Sequence, residues 1–249
     1  MDIMIDFISF SSIILFLSIF QTIAGVGILV LGTPILLLLG LEMVEVMTLL
    51  LPISILNSLA NIFYLKYKIK SIQVDITIRN YFFLICLPGI FLGLIILRFF
   101  DEYLNFNLLV SFTIWIFLAF SYLRKKKNIN IPSIFKKYLI FITGIIHGLT
   151  NSGGSLLSML IVNAYNKSLN YIRYQIIFFY FFLALFHYFS VIIIFDSSFF
   201  AALKVNYLVN LIIGIIVGNI LLKKVNINRL RNIIFVLAFI SSIFLISQA

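Results

Sequence analysis

Carboxylates are scarce in this chain of 249 residues: eight Asp and Glu stand against 18 Lys and Arg, and none of the eight falls in the middle of an apolar segment. That scarcity argues against the commonest carboxylate-based coupling to protons or sodium. The single cysteine, Cys86, excludes an intramolecular disulfide and reads as a small buried apolar residue. Two histidines and one cysteine are too few and too scattered for a metal cluster, and no carboxylate stands near His147 to orient it for nucleophilic chemistry. An enzyme is therefore not expected, and neither is a cofactor. Charge is short as well. With 10% charged residues, 63% apolar residues and a mean hydropathy of +1.20, the chain is no ordinary soluble domain.

What is present is a succession of apolar runs, mostly longer and more uniformly apolar than the alternating segments of about 10 residues that a membrane barrel needs. The expected class is an all-α, polytopic integral membrane protein. The net charge of +10 suggests nucleic acid at first sight, but its distribution argues against it. Basic residues gather in short loops: Lys66, Lys68, Lys70 and Arg79; Arg124 to Lys127 with Lys136 and Lys137; Lys167 and Arg173; Lys223, Lys224, Arg229 and Arg231. Asp75 apart, the acidic residues lie elsewhere, at Asp2, Asp6, Glu42, Glu45, Asp101, Glu102 and Asp196. This is the positive-inside pattern. No basic region precedes the first apolar stretch, which reads as a retained helix and not a cleaved signal.

Ten segments follow in order, near Phe7–Ala24, Val26–Leu41, Val46–Leu65, Tyr81–Phe100, Phe106–Leu123, Tyr138–Thr150, Gly153–Tyr165, Tyr171–Phe195, Phe199–Leu222 and Ile233–Ser247. The sixth and seventh are short for full spans and suit either a re-entrant hairpin or two tilted spans, so eight to ten transmembrane or re-entrant helices are expected. Either choice puts both termini outside. Residues 1–123 form one membrane repeat, 124–137 a basic cytoplasmic linker and 138–249 a second repeat.

The stretch from His147 to Leu160 interrupts this pattern with Thr150, Asn151, Ser152, Gly153, Gly154 and Ser155. Such a run survives at membrane depth only if it is buried in protein or lines a wet cavity. A helix restarting near Gly154 would offer backbone N–H groups and the positive end of its dipole, a setting for an anion. Displacing the sequence by 126 residues lays Gly25-Val26-Gly27 on Asn151-Ser152-Gly153 and Pro34 on Leu160. Each half then holds an odd number of segments, so the two would be inverted repeats, an architecture that places the site at matching interrupted helices near the midplane.

The spacing Gly-x-Gly-Gly-Gly, four residues, then Pro, once in each half, resembles the sulfite exporter TauE/SafE family, also called the toluene sulfonate uptake permease family. The first copy here is Gly25-Val26-Gly27-Ile28-Leu29 with Pro34; the second is Asn151-Ser152-Gly153-Gly154-Ser155 with Leu160. Ile28 and Leu29 in the first copy, and Asn151, Ser155 and Leu160 in the second, depart from the pattern. The resemblance covers nearly the whole chain and implies a multi-pass permease of the cell membrane for small sulfur anions such as sulfite, thiosulfate or sulfonates. Its expected partners are that anion and the lipid bilayer, without nucleic acid; self-association into a homo-oligomer stays open. Permeation of another small anion such as a carboxylate, an intramembrane enzyme and a non-transport membrane partner remain as alternatives.

Candidate substrate-binding residues are Gly25, Gly27, Thr33, Pro34, His147, Thr150, Asn151, Ser152, Gly153, Gly154 and Ser155. Gly25, Gly27 and Gly32 serve equally well as close-packing positions. Thr33 and Pro34 read as the N-cap and first residue of a helix. His147 and His187 are the only side chains at membrane depth able to titrate near neutral pH, and are candidate proton carriers against the plainer reading of structural hydrogen bonds. Asn57 and Asn61, one turn apart, are expected to bond between helices.

Overall fold

A computed structural model places residues 2–69, 73–127, 133–164, 168–196 and 204–223, together with Val236, Phe239, Ile240, Ser242, Ile243, Leu245, Ile246 and Ser247. Lys70, Lys167, Lys224, Arg229 and Arg231, positions 128–132 of the basic linker, the start of the ninth segment at Phe199 and nearly half of the tenth lie outside the described residues. Among the described residues there is no strand. Ten α-helices follow one another there: α1 (Asp2–Ala24), α2 (Ile28–Leu38), α3 (Met43–Lys68), α4 (Ile76–Tyr81), α5 (Leu87–Phe100), α6 (Phe106–Lys127), α7 (Ser133–Thr150), α8 (Gly154–Ala164), α9 (Leu169–Phe195) and α10 (Val205–Leu222). A π-helical turn, Phe82–Cys86, joins α4 to α5 just ahead of Pro88, whose missing N–H cannot continue a regular ladder.

Among the described residues, four stretches are long and apolar enough to cross a membrane, Met43–Lys68, Ile78–Phe100, Asn170–Phe195 and Val205–Leu222. Shorter apolar helices accompany them at Phe10–Ala24, Ile28–Leu38, Phe106–Ile116 and Lys137–Thr150. The protein is an all-α polytopic membrane protein. Its helix ends are set by ordinary local chemistry. Glu42 caps α3, and the Glu45 carboxylate reaches back to the Glu42 N–H at 3.0 Å in a capping box. Lys204 caps α10 at an exposed position, in keeping with an interfacial lysine. Arg98 donates to the Ile194 carbonyl and stands 5.7 Å over the Phe195 ring.

Helix pairs pack closely wherever both faces carry small residues. On α5, Gly89 and Gly93 lie one turn apart and meet Gly144 and Gly148 of α7. A Cβ built on Gly144 would stand 2.2 Å from the Cys86 carbonyl oxygen, and one on Gly148 2.2 Å from that of Ile90. Backbones this near leave no room for any side chain, the small-residue contact of membrane bundles. The pairing of α1 with α10 repeats the scheme: Gly214 and Gly218 face Ser18 and Thr22. The buried stripe of α10, Tyr207, Leu211, Gly214 and Gly218, is narrow, and most of its remaining surface, Asn206, Asn210 and Asn219 apart, is apolar and outward-facing, as suits a lipid-facing helix.

A displacement of 126 residues relates these elements. It carries 28–38 onto 154–164, the bounds of α2 onto those of α8; it carries 43–68 onto 169–194, one residue short of α9; and it carries Ser18 and Thr22 of α1 onto Gly144 and Gly148 of α7. The α1·α10 contact thus corresponds to the α7·α5 contact. Between α1 and α3 runs a polar ladder. Asn57 Nδ2 donates to Ser18 Oγ at 2.6 Å, and Asn61 Nδ2 donates to Thr22 Oγ1 at 3.2 Å and to Asn57 Oδ1 at 3.0 Å, the interhelical role expected of this pair.

One helix boundary differs from the sequence expectation. Thr33 and Pro34 lie inside α2, not at its start, because Gly27 caps the helix six residues before Thr33 and Gln21 holds its first N–H. Pro34 instead frees the Val30 carbonyl one turn back. At the far end of α2, Gly40 has φ 84° and no atom within 4 Å of where a Cβ would be. Gly40→Ala therefore meets only the backbone cost of a left-handed residue. A loss of about 1 kcal/mol is expected, visible as a shift of a few degrees in thermal unfolding.

Candidate functional site

Two helices stop inside the bundle, and each stops at a residue with left-handed backbone. α1 ends at Ala24 because Gly25 takes φ 82° and its N–H returns to the Gln21 carbonyl at 2.8 Å. α7 ends at Thr150 because Asn151 takes φ 58° and its N–H returns to the His147 carbonyl at 2.8 Å. Asparagine is the non-glycine residue best able to do this, which accounts for a departure from glycine at that position. Gly25 and Asn151 are also the two residues that the 126-residue displacement superposes.

The breaks meet. Asn151 Nδ2 donates to Thr33 Oγ1 at 3.1 Å, tying the second break to the middle of α2. From α9, the fully buried Tyr180 serves both breaks. Its hydroxyl accepts from the Leu29 N–H at 3.2 Å, and its ring fills the space over Gly154, where a Cβ would lie 2.2 Å from Cε2. The Ile28 N–H donates to Gln21 Oε1 at 3.2 Å. Hence two of the N–H groups at the start of α2 are already held by side chains, and the first break does not present them free.

The small residues of the second break are likewise committed. A Cβ on Gly153 would lie 2.5 Å from the Thr143 carbonyl oxygen and 2.6 Å from His147 Cβ, so the space beside this glycine is filled by α7 itself. The Thr150 hydroxyl donates to the Ile146 carbonyl at 2.7 Å, Ser152 to Thr150 at 3.0 Å and Ser155 to Ser152 at 2.9 Å. These bonds stabilise the broken backbone, and the hydroxyls can serve a ligand only by exchanging them.

Polar atoms with no partner among the described residues are confined to a few side chains. His147 and His187, proposed separately from the sequence, are brought together: their rings are 4.7 Å apart at 69°, both are fully buried, and none of the four ring nitrogens has a hydrogen-bond partner there. Asn151 Oδ1 has none either. Arg173, near the start of α9, is 2% exposed and donates through Nη2 to the Thr22 carbonyl and, at 3.4 Å, to Asn61 Oδ1, while Nε and Nη1 have no acceptor among the described residues. Each orphaned buried group costs about 1–3 kcal/mol, so their concentration beside the breaks calls for an explanation.

An all-α bundle with, among the described residues, four helices of spanning length and two buried helix breaks in contact has the build of a membrane transporter. The chain belongs to the sulfite exporter TauE/SafE family: the family model described as Sulfite exporter TauE/SafE matches residues 10–245. That family comprises membrane transporters of sulfur-related anions and not enzymes. No curated protein and no solved structure matches the chain significantly.

Tyr180, Gln21 and Arg173 were not identified as site residues from sequence. Tyr180 lies among so many aromatic residues of α9 that nothing marks it out. Arg173 counts with Lys167 in the positive-inside tally, although Tyr171 and Ile172 before it already belong to the apolar segment.

Proposed function

We propose that the protein carries a small sulfur oxyanion, of the sulfite, thiosulfate or sulfonate kind, across the cytoplasmic membrane by alternating access between two inverted halves. The anion occupies the region where the breaks meet, lined by Gly25, Gly27, Thr33 and Pro34 from one side and by His147 and Thr150 to Ser155 from the other. The observation that carries this reading is the contact between breaks at matched positions, Gly25 and Asn151, joined through Thr33 and Tyr180. In the arrangement described, the hydroxyls and the α2 N–H groups are engaged with protein, as suits a site closed between cycles. Opening one half frees donors for the anion, and each helix start adds roughly 0.3–2 kcal/mol. Weak binding suits a permease, which must release what it holds.

The distribution of basic loops supports both chain ends outside, with α1 and α2 returning to the outer face and α7 and α8 to the inner one. Exit of a monovalent anion from an inside-negative cell is downhill by about 2.3 kcal/mol per 100 mV, so export needs no coupled ion, whereas import does. The His147–His187 pair supplies the one group at this depth able to carry a proton with the anion.

The test is flux of labelled sulfite, thiosulfate and methanesulfonate in proteoliposomes, with and without an imposed pH gradient. Saturable flux of at least one is expected. In His147→Gln the response to the pH gradient should vanish while the protein stays folded. Absence of flux for all three in correctly inserted protein removes the substrate class. A response to pH that survives in His147→Gln removes the proton-carrier role.

A further inference from the structure

In the closed arrangement the hydroxyls at the breaks are spent on backbone and two N–H groups of α2 are held by Gln21 and Tyr180, so until one half opens the attraction for an anion comes from elsewhere. We infer that Arg173 is the residue that recruits and holds the sulfur oxyanion, at a subsite against the first break between the last turn of α1 and the polar ladder of α3. This rests on the anion-transport reading and adds to it the charged group which that reading lacks.

Three observations carry the assignment. Arg173 is buried to 2% exposure inside a stretch of spanning length, and neither of its acceptors, the Thr22 carbonyl and Asn61 Oδ1, is charged. A buried cation without a counter-charge is among the most costly features a protein can keep, and in a membrane chain it marks a functional position. Second, capping the end of α1 needs only Nη2; Nε and Nη1 remain without acceptors among the described residues. Third, the acceptors tie the guanidinium to the break, since Thr22 lies three residues before Gly25, and Asn61 belongs to the ladder that also contains Asn57 and Ser18. A planar guanidinium with unspent N–H donors matches the several oxygens of a sulfite, thiosulfate or sulfonate group. The anion supplies the missing counter-charge, and its departure restores the uncompensated state, which limits affinity and favours release.

The experiment compares wild type with Arg173→Lys, Arg173→Gln and Asn61→Asp in the proteoliposome assay, normalised to correctly inserted protein. Arg173→Gln keeps an N–H donor for the Thr22 carbonyl but no charge. Asn61→Asp keeps Arg173 and gives it a permanent carboxylate partner. KM for the transported anion is expected to rise about 10-fold or more in Arg173→Gln and in Asn61→Asp, and less in Arg173→Lys. An inserted Arg173→Gln or Asn61→Asp protein with KM unchanged overturns the assignment and leaves the transport reading standing. Wild type without flux of any of the three anions removes the sulfur-oxyanion substrate class, and this assignment with it. Should the variants fail to insert, wild-type protein labelled with 15N-arginine decides. A slowly exchanging Nε–H signal that shifts on titration with the transported anion supports the role of Arg173, and no such shift refutes it.

Discussion

Replacing Gly148 by leucine is expected to prevent the protein from reaching its folded state in the membrane. A Cβ at this position would lie 2.2 Å from the Ile90 carbonyl oxygen, 3.0 Å from Gly93 Cα and 3.0 Å from the Leu94 nitrogen, all of them backbone. No rotamer change relieves such a clash, so α5 and α7 must move apart. The separation also undoes the neighbouring contacts of Gly89, Gly93 and Gly144, because the four glycines form a single crossing. Overpacking of this kind costs roughly 3 kcal/mol or more, a large share of ordinary stability. In a bilayer no hydrophobic force pulls the helices back together, since lipid tails are as apolar as the helix faces. Cys86 provides an independent readout. It is a free thiol buried in this crossing, and its own carbonyl touches the Gly144 position. In wild-type membranes it should resist N-ethylmaleimide, and in Gly148→Leu it should become labelled while yield of monodisperse protein collapses. Gly40→Ala, with nothing to strike, should leave Cys86 protected. Folded Gly148→Leu protein with wild-type thermal stability would refute the crossing.

Much of this architecture was legible because the membrane makes sequence explicit. Apolar length gave the class and the long helices, and the 126-residue displacement matched Gly25 to Asn151 from the residues alone. What could not be read was the distribution of contacts between helices. The sequence shows His147 and His187 forty residues apart on segments with nothing to order them in space; only the fold, in which α5 packs against both α7 and α9, brings the rings to 4.7 Å. Glycine was ambiguous for a related reason. Gly153 and Gly154 do interrupt a helix, but whether an absent side chain leaves room for a ligand or for protein depends on what lies opposite, and here Thr143, His147 and Tyr180 do. Pro34 misled because proline favours both a helix start and a tolerated interior position in membrane helices, and the side chain that accepts from the first N–H of α2, Gln21, lies on the preceding helix. Arg173 was hidden by its neighbours in sequence, since one turn of helix separates a loop cation from a buried one.

Gly154→Leu is expected to abolish saturable anion flux, through Tyr180. The ring of Tyr180 occupies the place of the new side chain, 2.2 Å from its Cβ, and is fully buried, so it has to leave that place. Its departure withdraws the hydroxyl from the Leu29 N–H, which orphans a buried donor at about 1–3 kcal/mol, and it opens a cavity where a large aromatic side chain stood. The first break is then loosened by a substitution in the second, which is the coupling that alternation between the halves requires. Tyr180→Ala in the same chain separates packing from coupling. It removes the clash and lets the introduced leucine side chain fill part of the space, so thermal stability should recover substantially, whereas the Leu29 N–H still lacks its acceptor. Flux should therefore remain absent in the double variant although the protein is folded. The coupling between the two positions in stability should be large and favourable, as it is for residues in direct contact. Full recovery of flux along with stability would show that Tyr180 only fills space, and that the two breaks communicate, if at all, through Asn151 and Thr33 alone.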